Sequence, residues 1–179
     1  MEISDNQLVD KVLAGNKRSF VTLVERYNTQ IFNLMYRYCS SSEEAADMTQ
    51  DVFCRVFEKL GNYQEKKSFF SWLYTLALNY ARDWNKKQFN RNIKLSRYAD
   101  ELRVQQEHVA DEHESRHQTE LLLRALDALS DDRRELVILR YRHDCSIREL
   151  GEIFNLTESA TKMRLKRSLE ELNKILGNS

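Results

Sequence analysis

The chain of 179 residues contains no proline and only four glycines, and this constrains its fold more than any other feature. Proline breaks a helix because it lacks a backbone N–H and its ring clashes with the preceding turn. Glycine also disfavours helix interiors. Apolar residues recur at spacings of three and four along most of the chain, which is the helical period. The sequence therefore predicts an all-α fold.

Charge and cysteine usage limit the classes of protein that remain. The 28 basic residues are balanced by 28 acidic ones, which excludes a histone-like basic tail. No run of eighteen apolar residues occurs and no signal-peptide pattern opens the chain, so we expect no membrane insertion. Three cysteines (Cys39, Cys54 and Cys145) are an odd number and lie far apart. This usage favours a reduced, cytoplasmic location.

The chain divides into three blocks. Residues 1–90 and 118–179 carry the helical apolar pattern and predict two small helical domains. Residues 91–117 are polar, with five basic and six acidic side chains and few apolar ones. Such a stretch cannot bury enough apolar surface to offset the entropy of ordering. We therefore interpret residues 91–117 as a linker, part of which is expected to be helical.

Short polar residues mark the predicted helix starts. Ser41 with Glu44, and Ser146 with Glu149, have the spacing of a capping box. Asn155 is suited to a left-handed turn, and Gly151, a poor helix former, suggests that another helix crosses closely. Three further caps are predicted, at Ser68, Ser130 and Thr157.

Residues 146–168 have the pattern of a helix-turn-helix. From Ala160 to Ser168 the second helix has four basic residues and no acidic one. We expect Ala160, Met163 and either Leu165 or Leu169 to face inward, which leaves the basic residues for a DNA major groove. The alternative is an amphipathic helix with a solvated basic face. The candidate contacts with duplex DNA are Arg148, Thr157, Glu158, Ser159, Thr161, Lys162, Arg164, Leu165 and Arg167.

The first block carries a second candidate nucleic-acid surface. Between Arg82 and Arg97 there are six basic residues and one acid, mixed with amide and aromatic side chains. This mixture suits single-stranded DNA, since cations contact phosphates and aromatic rings or a pocket accept an unstacked base. Trp72, Leu73 and Leu76 are expected in the core, whereas Trp84 is left open. The candidate contacts are Asn62, Tyr63, Lys66, Lys67, Ser68, Asn79, Arg82, Asp83 and Lys86.

The predicted helix from Glu43 to Lys59 indicates a protein partner. Its polar side includes Asp47, Gln50 and Asp51, with Phe53 beside them. A charged helix face is usually only solvated, but this helix also has more apolar surface than one core needs. We therefore expect it to contact a helix of a partner protein.

These segments together resemble the sigma-70 family of RNA polymerase sigma factors. The resemblance rests on Ala-Ala-Asp-Met-Thr-Gln-Asp-Val-Phe (45–53), Phe-Phe-Ser-Trp-Leu-Tyr-Thr-Leu-Ala-Leu-Asn (69–79) and the helix-turn-helix. The two-block layout is similar to the extracytoplasmic-function (ECF, group IV) branch. The family often has glutamate at the position of Ala46 and Gly-Thr-Val where this chain has Ala160-Thr161-Lys162. The second departure lies in the recognition helix, so it bears on which −35 sequence that helix would bind.

The resemblance implies partners and roles for these surfaces. Region 2, residues 1–90, would bind the β′ clamp helices of core RNA polymerase through Asp47, Gln50, Asp51 and Phe53. It would also melt the promoter −10 element, with the single-strand candidates named above. Region 4, residues 118–179, would bind the −35 element. It would contact the β flap through Leu122, Leu136 and Val137. The family often works with an anti-sigma factor, so such a partner remains open.

Two other function classes account for the sequence less well. A stand-alone helix-turn-helix regulator with an N-terminal interaction domain explains the second block but gives no use to a base-capturing surface. An enzyme is disfavoured because no Ser/His/Asp set, phosphate-binding glycine loop or His-Glu-x-x-His motif occurs. His113 and His117 would share a helix face, with His108 upstream, but we expect no metal and no cofactor. Cys39 and Cys54 are expected to be small buried residues.

Overall fold

The computed structural model describes residues 3–39, 41–96 and 113–177, and every regular element in these ranges is helical. This confirms the predicted all-α fold. The chain separates into two compact units, Met1–Gln106 and Glu107–Ser179. Most of the predicted linker, residues 97–112, lies outside the described residues.

In the described residues of the first unit, 3–39 and 41–96, there are four α-helices and one short 3₁₀ turn. The α-helices are α1 (Asp5–Leu13), α2 (Arg18–Cys39), α3 (Ser42–Lys59) and α4 (Phe69–Ser96), and the 3₁₀ turn spans Leu60–Asn62. Helix α2 packs against α1, α3 and α4. Helix α4 continues to Ser96 and so includes the first six residues of the predicted linker.

Helix α2 is central because its inner residues are almost completely buried. Ile31, Leu34 and Met35 are 0% exposed. Helices α3 and α4, which pack against α2, bury apolar residues of their own, among them Met48, Val52 and Leu73. Helix α1 is held to α2 by Asp5, whose carboxylate accepts hydrogen bonds from Arg26 and from the Tyr27 hydroxyl. Burial, and then the bond to Asp5, raise the pKa of Tyr27 above its usual range.

Four α-helices make up residues 113–177, the described part of the second unit. They are α5 (His113–Asp127), α6 (Asp131–Arg142), α7 (Ile147–Phe154) and α8 (Glu158–Gly177). Helix α8 packs against the other three. Arg134 of α6 is 8% exposed and joins α5 to α6, because its guanidinium lies 3.3 Å from Asp127 and 3.1 Å from Asp131.

The predicted caps are present at most helix starts. The Ser146–Glu149 capping box is complete, with the serine accepting from the Glu149 N–H and the glutamate accepting from the Ser146 N–H. Ser41, Ser68 and Thr157 also accept backbone N–H groups. Ser130 occupies its N-cap position, but its side chain makes no capping hydrogen bond.

Two residues, Asn155 and Gly151, allow α7 to end and pack closely against the turn of the helix-turn-helix. Asn155 adopts the predicted left-handed conformation, with φ of 54°. A Cβ added at Gly151 would lie 2.8 Å from the carbonyl oxygen of Leu156 and 3.4 Å from Thr161 Oγ1. The segment nearest to Gly151 is therefore the turn, and not a crossing helix. The next nearest atom belongs to Thr161 of α8. Glycine lets α7 pack tightly against both.

Candidate DNA- and partner-binding surfaces

The polar face of α3 is exposed, as the sequence predicts. Asp47, Gln50 and Asp51 point to solvent along one side of the helix. Phe53 does not share that face: it is 7% exposed and packs toward α2. Phe53 instead lines the apolar groove between α2 and α3, so its contact with polymerase stays a prediction that concerns this groove and not the polar face.

An apolar groove lies beside this polar face, between α2 and α3. It encloses about 720 Å³ and is lined by Phe20, Val24, Phe32, Phe53 and Phe57, among other residues. Phe20 and Phe57 meet edge to face, 5.0 Å apart. Phe57 remains 42% exposed, which is the surplus apolar surface expected for this helix. Cys54 also lines the groove and is exposed, so the expectation that it is buried was wrong.

One side chain of α4 connects the polar face of α3 with the candidate single-strand surface. The Tyr80 hydroxyl donates a 2.8 Å hydrogen bond to the Asp51 carboxylate. The Arg55 guanidinium lies 4.6 Å from the centroid of the Tyr80 ring, in cation–π contact. Burial and the bond to Asp51 raise the pKa of Tyr80 to about 12. No local sequence pattern reports this contact, because its partners are 29 positions apart.

The candidate single-strand surface lies on α4 next to Tyr80. Asn79 Oδ1 accepts a 3.3 Å hydrogen bond from Arg82, so these two side chains share a face. Asp83 and Lys86 are exposed one turn further along, and Arg82 is half-buried. Trp84, which the sequence left open, is half-buried as well. The face thus presents amide and cationic groups next to one another.

The loop before α4 is anchored by aromatic packing. Tyr63 contacts Phe69 and Trp72, with ring centroids 5.5 Å away in both cases. The Tyr63 hydroxyl lies 2.8 Å from Asn6 Oδ1 and 2.8 Å from the Lys67 carbonyl oxygen. Asn62, Lys66, Lys67 and Ser68 are exposed on this loop. Trp72 and Leu76 are half-buried rather than fully enclosed, whereas Leu73 is in the core.

The recognition helix α8 is rotated relative to the sequence prediction. Its buried residues are Thr161, Leu165, Ser168 and Leu172. Ala160 is exposed and Met163 is 51% exposed, although both were expected inside. The predicted DNA contacts of Thr161 (0% exposed) and Leu165 (8%) are therefore corrected, because these two side chains form the core of the unit.

The remaining candidates for duplex contact are on the surface of the second unit. Thr157, Glu158 and Ser159 are exposed at the start of α8, and Lys162 and Arg167 are exposed further along. Arg164 is half-buried, with its guanidinium 4.0 Å from the Asp132 carboxylate. Arg148 of α7 is exposed and lies 3.2 Å from Glu152. The exposed side of α8 is therefore predominantly cationic.

The predicted flap surface is only partly available. Leu136 is 0% and Val137 is 6% exposed, so their predicted contact with the flap is corrected: both pack inside the unit. Leu122 is 42% exposed on α5, next to Leu123 at 46%. Helix α5 therefore presents two exposed leucines on its surface.

Neither a metal site nor a membrane span was found in the described ranges. There, no group of three or more His, Cys, Asp or Glu side chains is arranged to hold a metal ion. The side chains of His108, His113 and His117 lie outside the described residues. None of the described helices combines the length and apolar character that a membrane span requires.

Comparison with known families assigns both units. The family model for sigma-70 region 2 matches residues 23–90, and the model for sigma-70 region 4 matches residues 119–172. The RNA polymerase sigma-H factor of Pseudomonas aeruginosa is 26% identical, over 96% of this chain and 93% of its own length. The ECF RNA polymerase sigma factor SigW of Bacillus subtilis is 27% identical, over 98% of each chain.

Two solved structures share the fold. CnrH, in complex with the cytosolic domain of CnrY, superposes with a TM-score of 0.70 at 21% identity and covers 98% of each chain. The Bartonella quintana sigma factor RpoE, in complex with the anti-sigma factor NepR, gives a TM-score of 0.69 at 20% identity over 89% of this chain and 98% of its own. At these identities the likeness is one of fold.

Proposed function

Because the chain belongs to the sigma-70 family of RNA polymerase sigma factors, in its extracytoplasmic-function branch, we propose a function for each of its two units. The first binds core polymerase and captures the melted −10 strand, and the second binds the −35 duplex. Together they direct promoter-specific initiation of transcription. The observation that carries this function is the pairing of region 2 and region 4 in one chain, each within its own compact unit.

Helix α3 is the proposed docking site for the β′ clamp helices. Asp47, Gln50 and Asp51 offer carboxylates and an amide to a partner helix, and the exposed ring of Phe57 adds apolar contact at the neighbouring groove. Charged rims of this kind select the partner and its orientation. An apolar groove beside them supplies desolvation energy on docking.

The face of α4 and the preceding loop form the proposed −10 surface. Arg82 and Lys86 would contact phosphates, Asn79 would bind a base edge, and Asp83 would exclude or accept an exocyclic amine. Asn62, Lys66, Lys67 and Ser68 flank this surface, while Tyr63 keeps the loop in place through its ring contacts. Promoter melting then needs no covalent chemistry, because tighter binding to the opened strand stabilises the open state. We accordingly assign no enzymatic activity to the chain.

The exposed side of α8 is the proposed −35 surface. Thr157, Glu158 and Ser159 at the helix start lie where base edges are reached, and Lys162, Arg164 and Arg167 supply positive charge. Arg148 of α7 would contact the phosphate backbone. Leu122 of α5 is proposed to contact the β flap, in place of the buried Leu136 and Val137.

The partners are core RNA polymerase, promoter DNA and an anti-sigma factor. The last is supported by the structural neighbour RpoE, which was solved in complex with the anti-sigma factor NepR. An inhibitor that covers the α2–α3 groove would block polymerase docking. We place the protein in the cytoplasm, where polymerase and chromosome are found.

Polymerase binding by the full chain tests this function. The chain should co-purify with core polymerase, and Asp47→Arg should weaken binding by at least about tenfold, because it reverses a charge on the docking face. Asp10→Arg makes the same change at an exposed acid of α1 and serves as the control. A chain that never binds core polymerase would instead be a stand-alone DNA-binding regulator.

A further inference from the structure

The buried residues of α8 define which side of the helix faces outward. Thr161, Leu165, Ser168 and Leu172 form one stripe. At about 100° per residue, Met163 lies about 170° from the centre of that stripe. Met163 therefore points almost directly away from the core, as does the exposed Glu170 two turns later, whereas Lys162 and Arg167 lie at either side.

An apolar side chain in this position is unusual among its neighbours. Met163 is 51% exposed, yet the residues around it on the outer face are polar or cationic, including Ser159, Lys166 and Arg167. Ala160, one turn earlier, is also exposed, and both residues border the shallow groove that contains Arg164 and Arg167. The outer face thus has a small apolar strip within a cationic surface.

The chemistry of the major groove provides one apolar group for such a strip. Of the four bases only thymine presents a methyl group there, and apolar side chains contact it. Arginine and lysine cannot make that contact as well, since they remain hydrated or bind phosphates and guanine. The long, flexible side chain of methionine can reach a base edge and adapt to it.

We propose that Met163 is a specificity-determining residue that contacts a thymine methyl group in the −35 element. This inference rests on the proposed function, because it assumes that the outer face of α8 enters the major groove. It adds a requirement that the basic residues do not impose: at one position of the −35 element, thymine is preferred over uracil.

Replacing thymine by uracil in the DNA tests the contact, because this removes only the methyl group. The holoenzyme, reconstituted from core polymerase and the full chain, is first used to select promoters from a random duplex library. Each −35 thymine of a selected promoter is then changed to deoxyuridine in turn. At one position binding should weaken by about fourfold, the effect of one buried methyl group.

The same series is repeated with three variant chains. Met163→Ala should bind the thymine and uracil promoters equally at that position, whereas Met163→Leu should restore the preference. Leu13→Ala, an exposed apolar residue of α1, should behave as the unaltered chain. Equal preferences in the unaltered chain and Met163→Ala at every position would overturn the inference, as would the absence of any preference in the unaltered chain.

These experiments distinguish a failure of the Met163 assignment from a failure of the proposed function. If the holoenzyme selects no promoter sequence at all, the proposed function fails. If it selects promoters but Met163→Ala changes no thymine preference, only the assignment of Met163 fails.

Discussion

At the scale of single residues, Arg164 and Arg167 differ in their surroundings although they lie one turn apart on α8. Arg164 is half-buried and its guanidinium lies 4.0 Å from the Asp132 carboxylate, whereas Arg167 is exposed. A guanidinium next to a carboxylate gains less from binding a phosphate, since its charge is already partly compensated. The two cations should therefore contribute unequally to DNA binding.

We expect Arg167→Ala to weaken −35 binding by the holoenzyme more than Arg164→Ala does. If Arg167 neutralises a phosphate, its loss should also reduce the salt dependence of binding by about one counterion. Binding is measured between about 50 and 200 mM salt. An unchanged salt slope for Arg167→Ala would show that this residue lies away from the DNA.

Two hydroxyl side chains explain why the orientation of α8 was predicted wrongly. Thr161 and Ser168 are 0% exposed, and their hydroxyls donate 2.9 Å hydrogen bonds to the carbonyls of Thr157 and Arg164 in the preceding turn. Satisfied in this way, a hydroxyl can be buried at little cost. A hydropathy pattern counts a buried hydroxyl residue as polar and Met163 as apolar. It therefore predicted that Met163 faces the core and that Thr161 faces the solvent.

At the scale of elements, two helix starts in the second unit offer a matched comparison. Ser146 makes a complete capping box before α7, whereas Ser130 occupies the N-cap of α6 without a side-chain hydrogen bond. Ser146→Ala should lower the free energy of unfolding of this unit by about 1 kcal/mol. Ser130→Ala should cost clearly less. Chemical denaturation of the full chain measures both, and equal losses would contradict the capping assignment.

A second prediction at this scale concerns the hydrogen bond between Tyr80 of α4 and Asp51 of α3. Tyr80→Phe keeps the ring beneath Arg55 but removes the hydrogen bond to Asp51, so we expect a loss of about 1 kcal/mol in the stability of the first unit. Because the pKa of Tyr80 is raised to about 12, its contribution is complete below the unfolded value of about 10 and is lost as pH rises toward 12.

Denaturation at several pH values checks this assignment. The stability difference between the unaltered chain and Tyr80→Phe should be constant near neutrality and shrink between pH about 10 and 12. An ultraviolet titration should show one late-ionising tyrosine fewer in the variant. A difference that is independent of pH would argue against the Asp51 bond.

The helix starts could be predicted because their sequence signals are local. The proposed binding surfaces could not, because they combine residues that are far apart in the sequence. Capping residues and apolar spacing placed Ser41, Ser68, Ser146 and Thr157 correctly. The Tyr80–Asp51 contact, the α2–α3 groove and the burial of Leu136 depend on residues far apart in sequence, so no local pattern reports them. Family resemblance supplied the roles, but only the structure showed which side chains are accessible.

At the scale of the whole molecule, the charge balance bears on how the protein works. Its formal net charge is zero, so non-specific attraction to DNA should be weak although local faces are cationic. Weak surfaces gain strength when a scaffold holds them near their targets, because the second contact becomes intramolecular. Polymerase is the scaffold in this account, and it would hold both units near their promoter elements.

Mapping transcript 5′ ends tests the central claim most directly. Core polymerase transcribes fragmented chromosomal DNA from the organism that carries the gene, with and without the full chain. We predict a limited set of new start sites that appear only with the chain and share upstream sequence elements near −35 and −10. A distribution of start sites unchanged by the chain would contradict the account.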